Sequence, residues 1–271
     1  MRLALFALAF SLAPLPALAK DSDVEPHMRI AAESQPLAPS FAALTPGSQA
    51  PVMLVGNATP LPAAMPSAGL TVALTFDACM GAVDDRILGV LVDKAIPATI
   101  FVTRRWLKRN PAALAVLLAH PDLFEIENHG AEHVPPVTDH PTMFGLKTAG
   151  TIEAVRSEVQ GGGAAILADT GRTARWFRGA TARYSHDAVA EIAADGYLLA
   201  GYSLNADMGA SLPAASVERR IRAAKNGDVI IAHINQPKRP SGAGVAAGLL
   251  ALHAEGVRFV RLDDVAIEAV R

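Results

Sequence analysis

Three short polar patches interrupt otherwise apolar runs: Leu74-Thr75-Phe76-Asp77-Ala78-Cys79, Glu127-Asn128-His129-Gly130-Ala131-Glu132-His133, and Ile230-Ile231-Ala232-His233. Each sets an acid or an imidazole at the end of a strand-like run, where parallel α/β sheets gather their catalytic groups. Carboxylates and imidazoles gathered there point to metal-assisted hydrolysis. His129 and His133 are four residues apart, so on a helix or a tight turn both rings can face one point, as two-histidine zinc sites require. The bland alternative is a pair of loop histidines hydrogen-bonded to carboxylates such as Glu132.

Asp77 closes a run that otherwise holds only apolar residues and threonine. A carboxylate there is costly unless it is paired, hydrogen-bonded or metal-bound. His233 stands at the same point of its own run, with a satisfied core histidine as the competing account. Arg178 ends a third run and can pair with Asp77, holding it ionised, or form a salt bridge elsewhere. Cys79 is the chain's one cysteine. Two residues past Asp77 on an extended strand, it shares a face with that carboxylate. A thiolate beside histidines would suit zinc, but a free cysteine is more often a small buried hydrophobe, and that is the expectation for Cys79.

The elements that must position these groups follow from periodicity. From about residue 69, seven strand-like runs alternate with helical patterns: 70–76, 98–102, 124–127, 175–177, 197–202, 229–232 and 257–262. Helices are expected over 85–94, over 110–120 with Pro111 at the first position, and over 151–169, 185–195, 216–226 and 245–255. The Gly161-Gly162-Gly163 triplet is expected to break the third. Strand, helix, parallel strand is an α/β pattern, and seven units favour an irregular seven-stranded parallel (β/α) barrel over an open sheet.

At 271 residues, one main domain is the default. The apolar fraction of 51% and charged fraction of 18% exclude wholesale disorder. A net charge of -2 and a pI near 6.4 leave no basic footprint for nucleic acid. Residues 1–19 carry Arg2, an apolar run from Leu3 to Ala13, and Ala17-Leu18-Ala19 before Lys20. This is the pattern of a signal peptide cleaved after Ala19, and it predicts an exported, periplasmic or secreted protein. The run is too short to span a bilayer, which takes about 20 residues, so no transmembrane segment is expected after cleavage. Residues 20–68 hold eight of the 19 prolines and form a Pro/Ala-rich arm or linker, with one short strand-like run at 52–55. The catalytic domain is then residues 69–271.

Taken in order, Thr75-Phe76-Asp77, His129 with His133, Phe177-Arg178 and Ile231-Ala232-His233 resemble the polysaccharide deacetylase family of carbohydrate esterases, over about residues 70 to 265. The stretches Asp77-Ala78-Cys79-Met80-Gly81 and His233-Ile234-Asn235-Gln236-Pro237 look similar to an exported bacterial subgroup. The resemblance implies an irregular seven-stranded barrel and a divalent metal, usually zinc. It also implies removal of acetyl groups, N- or O-linked, from a polysaccharide or oligosaccharide. It makes Asp77 the general base, His233 the general acid and Arg178 the residue that orients the base, with His129 and His133 as metal ligands. Asp207 corresponds loosely to the acid that tunes the histidine. Most family members carry a second, metal-binding aspartate where this chain has Ala78. Asp77 itself is the expected third ligand, with Asp84, Asp85, Cys79 or water as substitutes.

Two alternatives stay open: a catalytically impaired glycan-binding protein on the same scaffold, and a structural factor of the envelope. Aromatic content is 5%, with Trp106 and Trp176 the only tryptophans, so few sugar-stacking platforms are expected.

Overall fold

A computed structural model describes residues 28–30 and 69–269. The signal segment, most of the arm and the run at 52–55 lie outside the described residues. The elements in chain order are β1 (Met28–Ile30), β2 (Thr71–Ala78), α1 (Asp85–Asp93), β3 (Ala98–Val102), α2 (Arg104–Arg109), α3 (Pro111–Ala119) and β4 (Phe124–Asn128). A hairpin of β5 (Thr142–Met143) and β6 (Leu146–Lys147) follows, then α4 (Ile152–Thr170), β7 (Trp176–Phe177), α5 (His186–Ala194), β8 (Leu198–Leu199) and β9 (Leu204–Asn205). The chain continues through α6 (Ala214–Arg222), β10 (Val229–His233), α7 (Ser241–Ala254), β11 (Arg258–Val260) and β12 (Ile267–Ala269).

The main sheet runs β8-β7-β4-β3-β2-β10-β9, with β11 added against the start of β2. Every pairing in it is parallel. The seven strands of that path curl into a half-barrel, an irregular version of the expected barrel. Two-residue β9 escapes the sequence pattern because so short a strand has no period to read. β1 pairs antiparallel with β12, so residues 28–30 join the domain's last strand.

All eight positions of β2 are buried, as parallel strands covered on both faces require. Val72, Leu74, Phe76 and Ala78 join one apolar cluster with Ile87, Leu91 and Trp106 from the helices. Ala73 joins a second cluster with Phe101, Ile231 and Tyr202, which fills the concave interior. The two-residue period therefore places Thr75 and Asp77 on the interior face and Ala78 on the helix-covered face.

The expected break at Gly161–Gly163 does not occur, and α4 runs uninterrupted for 19 residues. Its cap explains part of this: Thr151 Oγ1 accepts the Ala154 N–H, and Gly171 closes the other end in the left-handed region. Close packing explains the rest. A Cβ on Gly162 would lie 2.2 Å from Asn128 Oδ1 and 2.7 Å from the Gly130 carbonyl carbon. The triplet lets α4 sit directly against the end of β4, and that tertiary contact outweighs glycine's low helix propensity.

Candidate active site

Parallel strands put all their C-terminal ends on one side, and register aligns what those ends carry. Asp77 pairs with Phe101 on one flank and with His233 on the other. Ala78, Val102, Asn128 and Phe177 form the next rung, so His129 and Arg178 each fall one residue beyond it. The structure thus brings Asp77, His129, Arg178 and His233 to one end of the sheet.

Arg178 is fully buried, and its fork is matched by acceptors. Nη1 donates to Asp77 Oδ1 at 3.1 Å and to Thr75 Oγ1 at 3.0 Å. Nη2 donates to the Gly201 carbonyl at 2.8 Å and Nε to the Ala200 carbonyl at 3.3 Å. The guanidinium also lies 4.3 Å above the Phe101 ring centroid, a further attraction for a cation. Burial pushes the Asp77 carboxyl up, but the charges of His129, Arg178 and His233, with the Arg178 hydrogen bond, outweigh it and hold Asp77 below its usual value. Asp77 is therefore ionised at neutral pH.

His129 is buried, with Nδ1 against the Arg178 carbonyl oxygen. That contact turns Nε2 toward Cys79 Sγ at 3.5 Å and Asp77 Oδ2 at 3.8 Å. Burial pushes the ring down, yet the charges of Asp77 and Cys79, with the hydrogen bonds to Cys79 and the Arg178 carbonyl, raise it to about 9. His133 sits on a tight turn rather than a helix, at φ +66°, a region costly for a residue with a Cβ. Its ring centroid lies 5.1 Å from that of His129, and its Nδ1 is buried without a hydrogen-bond partner.

Cys79 is buried as expected, but not among hydrocarbon alone. Burial pushes its thiol up, and His129, His133 and His233 together bring it well below its ordinary value. Among the described residues, Cys79, His129 and His133 each offer a donor atom within 4.8 Å of the other two. Asp77, the expected third ligand, does not belong to that group. Asp84 and Asp85 are engaged elsewhere: Asp84 is a buried cap of α1 gripped by Arg86 at 2.6 Å, and Asp85 is exposed in the first turn.

His233 Nδ1 lies 2.9 Å from Asp207 Oδ1, and its backbone N–H donates to Asp207 Oδ2 at 2.7 Å. Asp207 is fully buried. Burial pushes His233 down, but the Asp207 charge and hydrogen bond, with a smaller contribution from Cys79, raise it well above its ordinary value. The loose sequence correspondence at Asp207 becomes a close buried pair.

Three supporting residues were not singled out from sequence. Glu158 accepts the N–H groups of Glu132 at 2.9 Å and Val134 at 3.0 Å, bracketing His133 from α4. Asn128 Oδ1 accepts the Gly130 N–H at 2.8 Å, and its Nδ2 donates to the Val159 carbonyl at 2.9 Å. Thr103 Oγ1 donates to the Cys79 carbonyl. Glu158 carries a signal that sequence offers: it falls in the buried stripe of α4 with Val155, Val159, Gly162 and Ile166. Both tryptophans are buried, so neither is a sugar platform.

Residues 65–200 match the sequence profile described as Polysaccharide deacetylase. No curated protein matches the chain. Among solved structures, it is similar to a CE4 family pseudoenzyme from Bacillus anthracis, at 19% identity and TM-score 0.57, covering 73% of this chain and 65% of that one. It is also similar to a family 4 acetyl xylan esterase from Clostridium thermocellum bound to a cobalt ion, at 23% identity and TM-score 0.56, covering 71% and 88%. A third is a peptidoglycan deacetylase from Bacillus subtilis, at 18% identity and TM-score 0.58, covering 72% and 88%. Likeness at these identities is likeness of fold. The chain spans just under two thirds of the Bacillus anthracis protein. Among the described residues no helix is long and apolar enough to cross a membrane.

Proposed function

The chain belongs to the polysaccharide deacetylase family, and from that premise we propose that it is a metal-dependent hydrolase that removes N- or O-linked acetyl groups from an acetylated glycan. The observation that carries this reading is the pairing of an ionised Asp77 with a cationic His233 at one sheet end, each held by its own buried counter-charge. Two titratable groups whose surroundings push them apart are the arrangement acid–base hydrolysis needs.

The donors fit a divalent ion such as zinc. His129 and His133 would hold it, since His129 Nε2 is aimed by the Arg178 carbonyl and the His133 turn is fixed by Glu158. The chemistry such an ion supplies when bound is polarisation of an acetyl carbonyl and acidification of water toward a pKa of about 7. The remaining work falls to the chain. Asp77 Oδ2, the oxygen Arg178 does not grip, takes a proton from the attacking water. His233, with Nδ1 committed to Asp207, presents Nε2 to protonate the departing sugar nitrogen or oxygen. Arg178 fixes the carboxylate and balances its charge.

The test is acetate release from a panel of N- and O-acetylated glycans, using the full chain and its His129→Ala and His233→Ala forms. Release by the full chain, lost in both variants, is expected. An active His233→Ala form would sink the catalytic assignment.

A second reading is favoured by one observation: Ala78 stands where most family members have a metal-binding carboxylate, and one similar structure is described as a pseudoenzyme. A glycan-binding protein would bind the same oligomers without releasing acetate. Export through residues 1–19 belongs to the same proposal. The mature protein recovered outside the cytoplasm should begin at Lys20, and recovery of residues 1–19 on cytoplasmic protein would refute export.

A further inference from the structure

The proposed hydrolase lacks one protein ligand at Ala78, and backbone geometry shows where a replacement lies. Ala78 ends β2 with its side chain in the helix-covered cluster that also holds Phe76, Ile87 and Trp106. A carboxylate on that side chain would enter hydrocarbon. Asp77 and Cys79 flank it, and both side chains meet His129.

We propose that Cys79 Sγ is the third protein ligand of the metal, making a Cys-His-His site that leaves Asp77 free as the base. This rests on the metal-dependent reading above. The donor atoms of Cys79, His129 and His133 all lie within 4.8 Å of one another. Cys79 Sγ and His129 Nε2 are 3.5 Å apart. Two donors on one tetrahedral ion, with bonds of about 2.3 Å to sulfur and 2.0 Å to nitrogen, sit about 3.5 Å from each other.

Asp77 has a different commitment. Its Oδ1 is bound by Arg178, and its Oδ2 lies 3.8 Å from His129 Nε2. A carboxylate drawn onto a cation would lose basicity, so a thiolate ligand removes the conflict between the two roles. Thiolate also carries the single negative charge of the missing carboxylate, so the site's net charge is kept. Its supports are those of a ligand: Thr103 Oγ1 holds the Cys79 carbonyl, the Arg178 carbonyl orients His129, and Glu158 fixes the His133 turn. Three protein ligands with one position open is the pattern of catalytic zinc, and a sulfur donor favours zinc over magnesium or calcium.

The test is titration of the full chain with cobalt(II) as the probe, followed by its absorption spectrum. A sulfur-to-cobalt charge-transfer band in the near ultraviolet, saturating at one cobalt per chain, is expected. Cys79→Asp should keep the visible cobalt bands and lose the charge-transfer band. Cys79→Ser should weaken cobalt binding by more than the roughly 10–100-fold that loss of an outer-shell partner costs. Cobalt bound through His129 without the charge-transfer band would overturn the thiolate ligand and leave the metal-dependent reading standing. Failure of the full chain to bind cobalt or zinc would overturn both.

Discussion

Asp77 and His233 face each other across the β2–β10 ladder, residue against residue, and each is bound to a separate buried counter-charge, Arg178 for the first and Asp207 for the second. Neighbouring strands alone would bring the two groups together, where their mutual attraction would pair them into a closed salt bridge. The separate partners hold Asp77 ionised and His233 protonated, and the His233 ring, with Nδ1 on Asp207, also hydrogen-bonds Cys79. A single sheet rung thus sets the spacing, and two residues from other elements set the charge states.

The first consequence is a pH profile. In the proposed reaction Asp77 acts ionised and His233 protonated, so the two limbs should be widely separated and the plateau should include neutral pH. Asp207→Asn removes the charge that raises His233 against its burial, leaving Cys79 and Asp77 as the acids facing it. The alkaline limb should then move to lower pH, with activity at neutral pH falling by up to the roughly 100- to 10,000-fold that a general acid contributes. The sign for stability follows the same shift. The folded His233 value lies above the unfolded one, so the pair's contribution is full below about 6.5 and is lost as pH rises through the folded value. Rate profiles and melting temperatures across pH, for both forms, check it. An unmoved alkaline limb in Asp207→Asn would show that His233 is not the acid.

A second prediction concerns Arg178. Arg178→Met removes the cation hydrogen-bonded to the buried Asp77 carboxylate and leaves the imidazoles of His129 and His233 to balance it. Loss of one member of a buried pair costs up to about 3–5 kcal/mol. Arg178→Lys keeps the charge but cannot reach Asp77, Thr75 and the Ala200 and Gly201 carbonyls together. Both should lose activity, with Met the less stable. In Lys the acid limb of the pH profile should move upward, because burial then acts on Asp77 against weaker opposition. Denaturant melts and the acid limb are the measurements, and a Met form as stable as the parent would contradict the buried-pair account.

The third prediction sets local propensity against packing. Gly162→Ala should stabilise an exposed helix by about 1 kcal/mol. Here the new Cβ would lie 2.2 Å from Asn128 Oδ1 and 2.7 Å from the Gly130 backbone, and overpacking of this kind costs about 1–3 kcal/mol. A lower melting temperature and weaker metal binding are expected, because Asn128 and Gly130 carry the chain into and out of His129. A rise in melting temperature would show that the loop moves aside at no cost.

Much of this was legible in the residues. The seven expected strands each have a counterpart, because buried parallel strands leave largely apolar runs such as 98–102, where Thr99 is the one polar residue, and 229–232. The residues set at strand ends converge for the same reason: once strands are parallel, Asp77, His129, Arg178 and His233 have one end to share. What stayed hidden depends on long-range contact. The glycine triplet was expected as a break because propensity is local, whereas its effect comes from β4, over thirty residues away in sequence. Cys79 was expected as packing because nothing in the sequence says that a turn at 129–133 will bring two imidazoles to its sulfur. β9 and α2 were too short to show a period.

The last prediction isolates positioning from ligation. Glu158 touches neither Asp77 nor His233, yet its carboxylate accepts the N–H groups on either side of His133, whose backbone stands at φ +66°. A left-handed conformation in a residue with a Cβ persists only where its surroundings hold it. Glu158→Ala leaves part-buried donors unmatched, at about 1 kcal/mol each, and frees the turn to relax toward ordinary backbone angles. His133 should then leave the cluster, with a loss of metal affinity of about 10–100-fold. Glu158→Gln keeps one acceptor oxygen and should recover part of that affinity. Zinc affinity by competition with a chromophoric chelator, read beside the melting temperature, separates the two effects. Equal melting losses in Ala and Gln, with affinity unchanged in both, would show that Glu158 supports the fold and does not place His133.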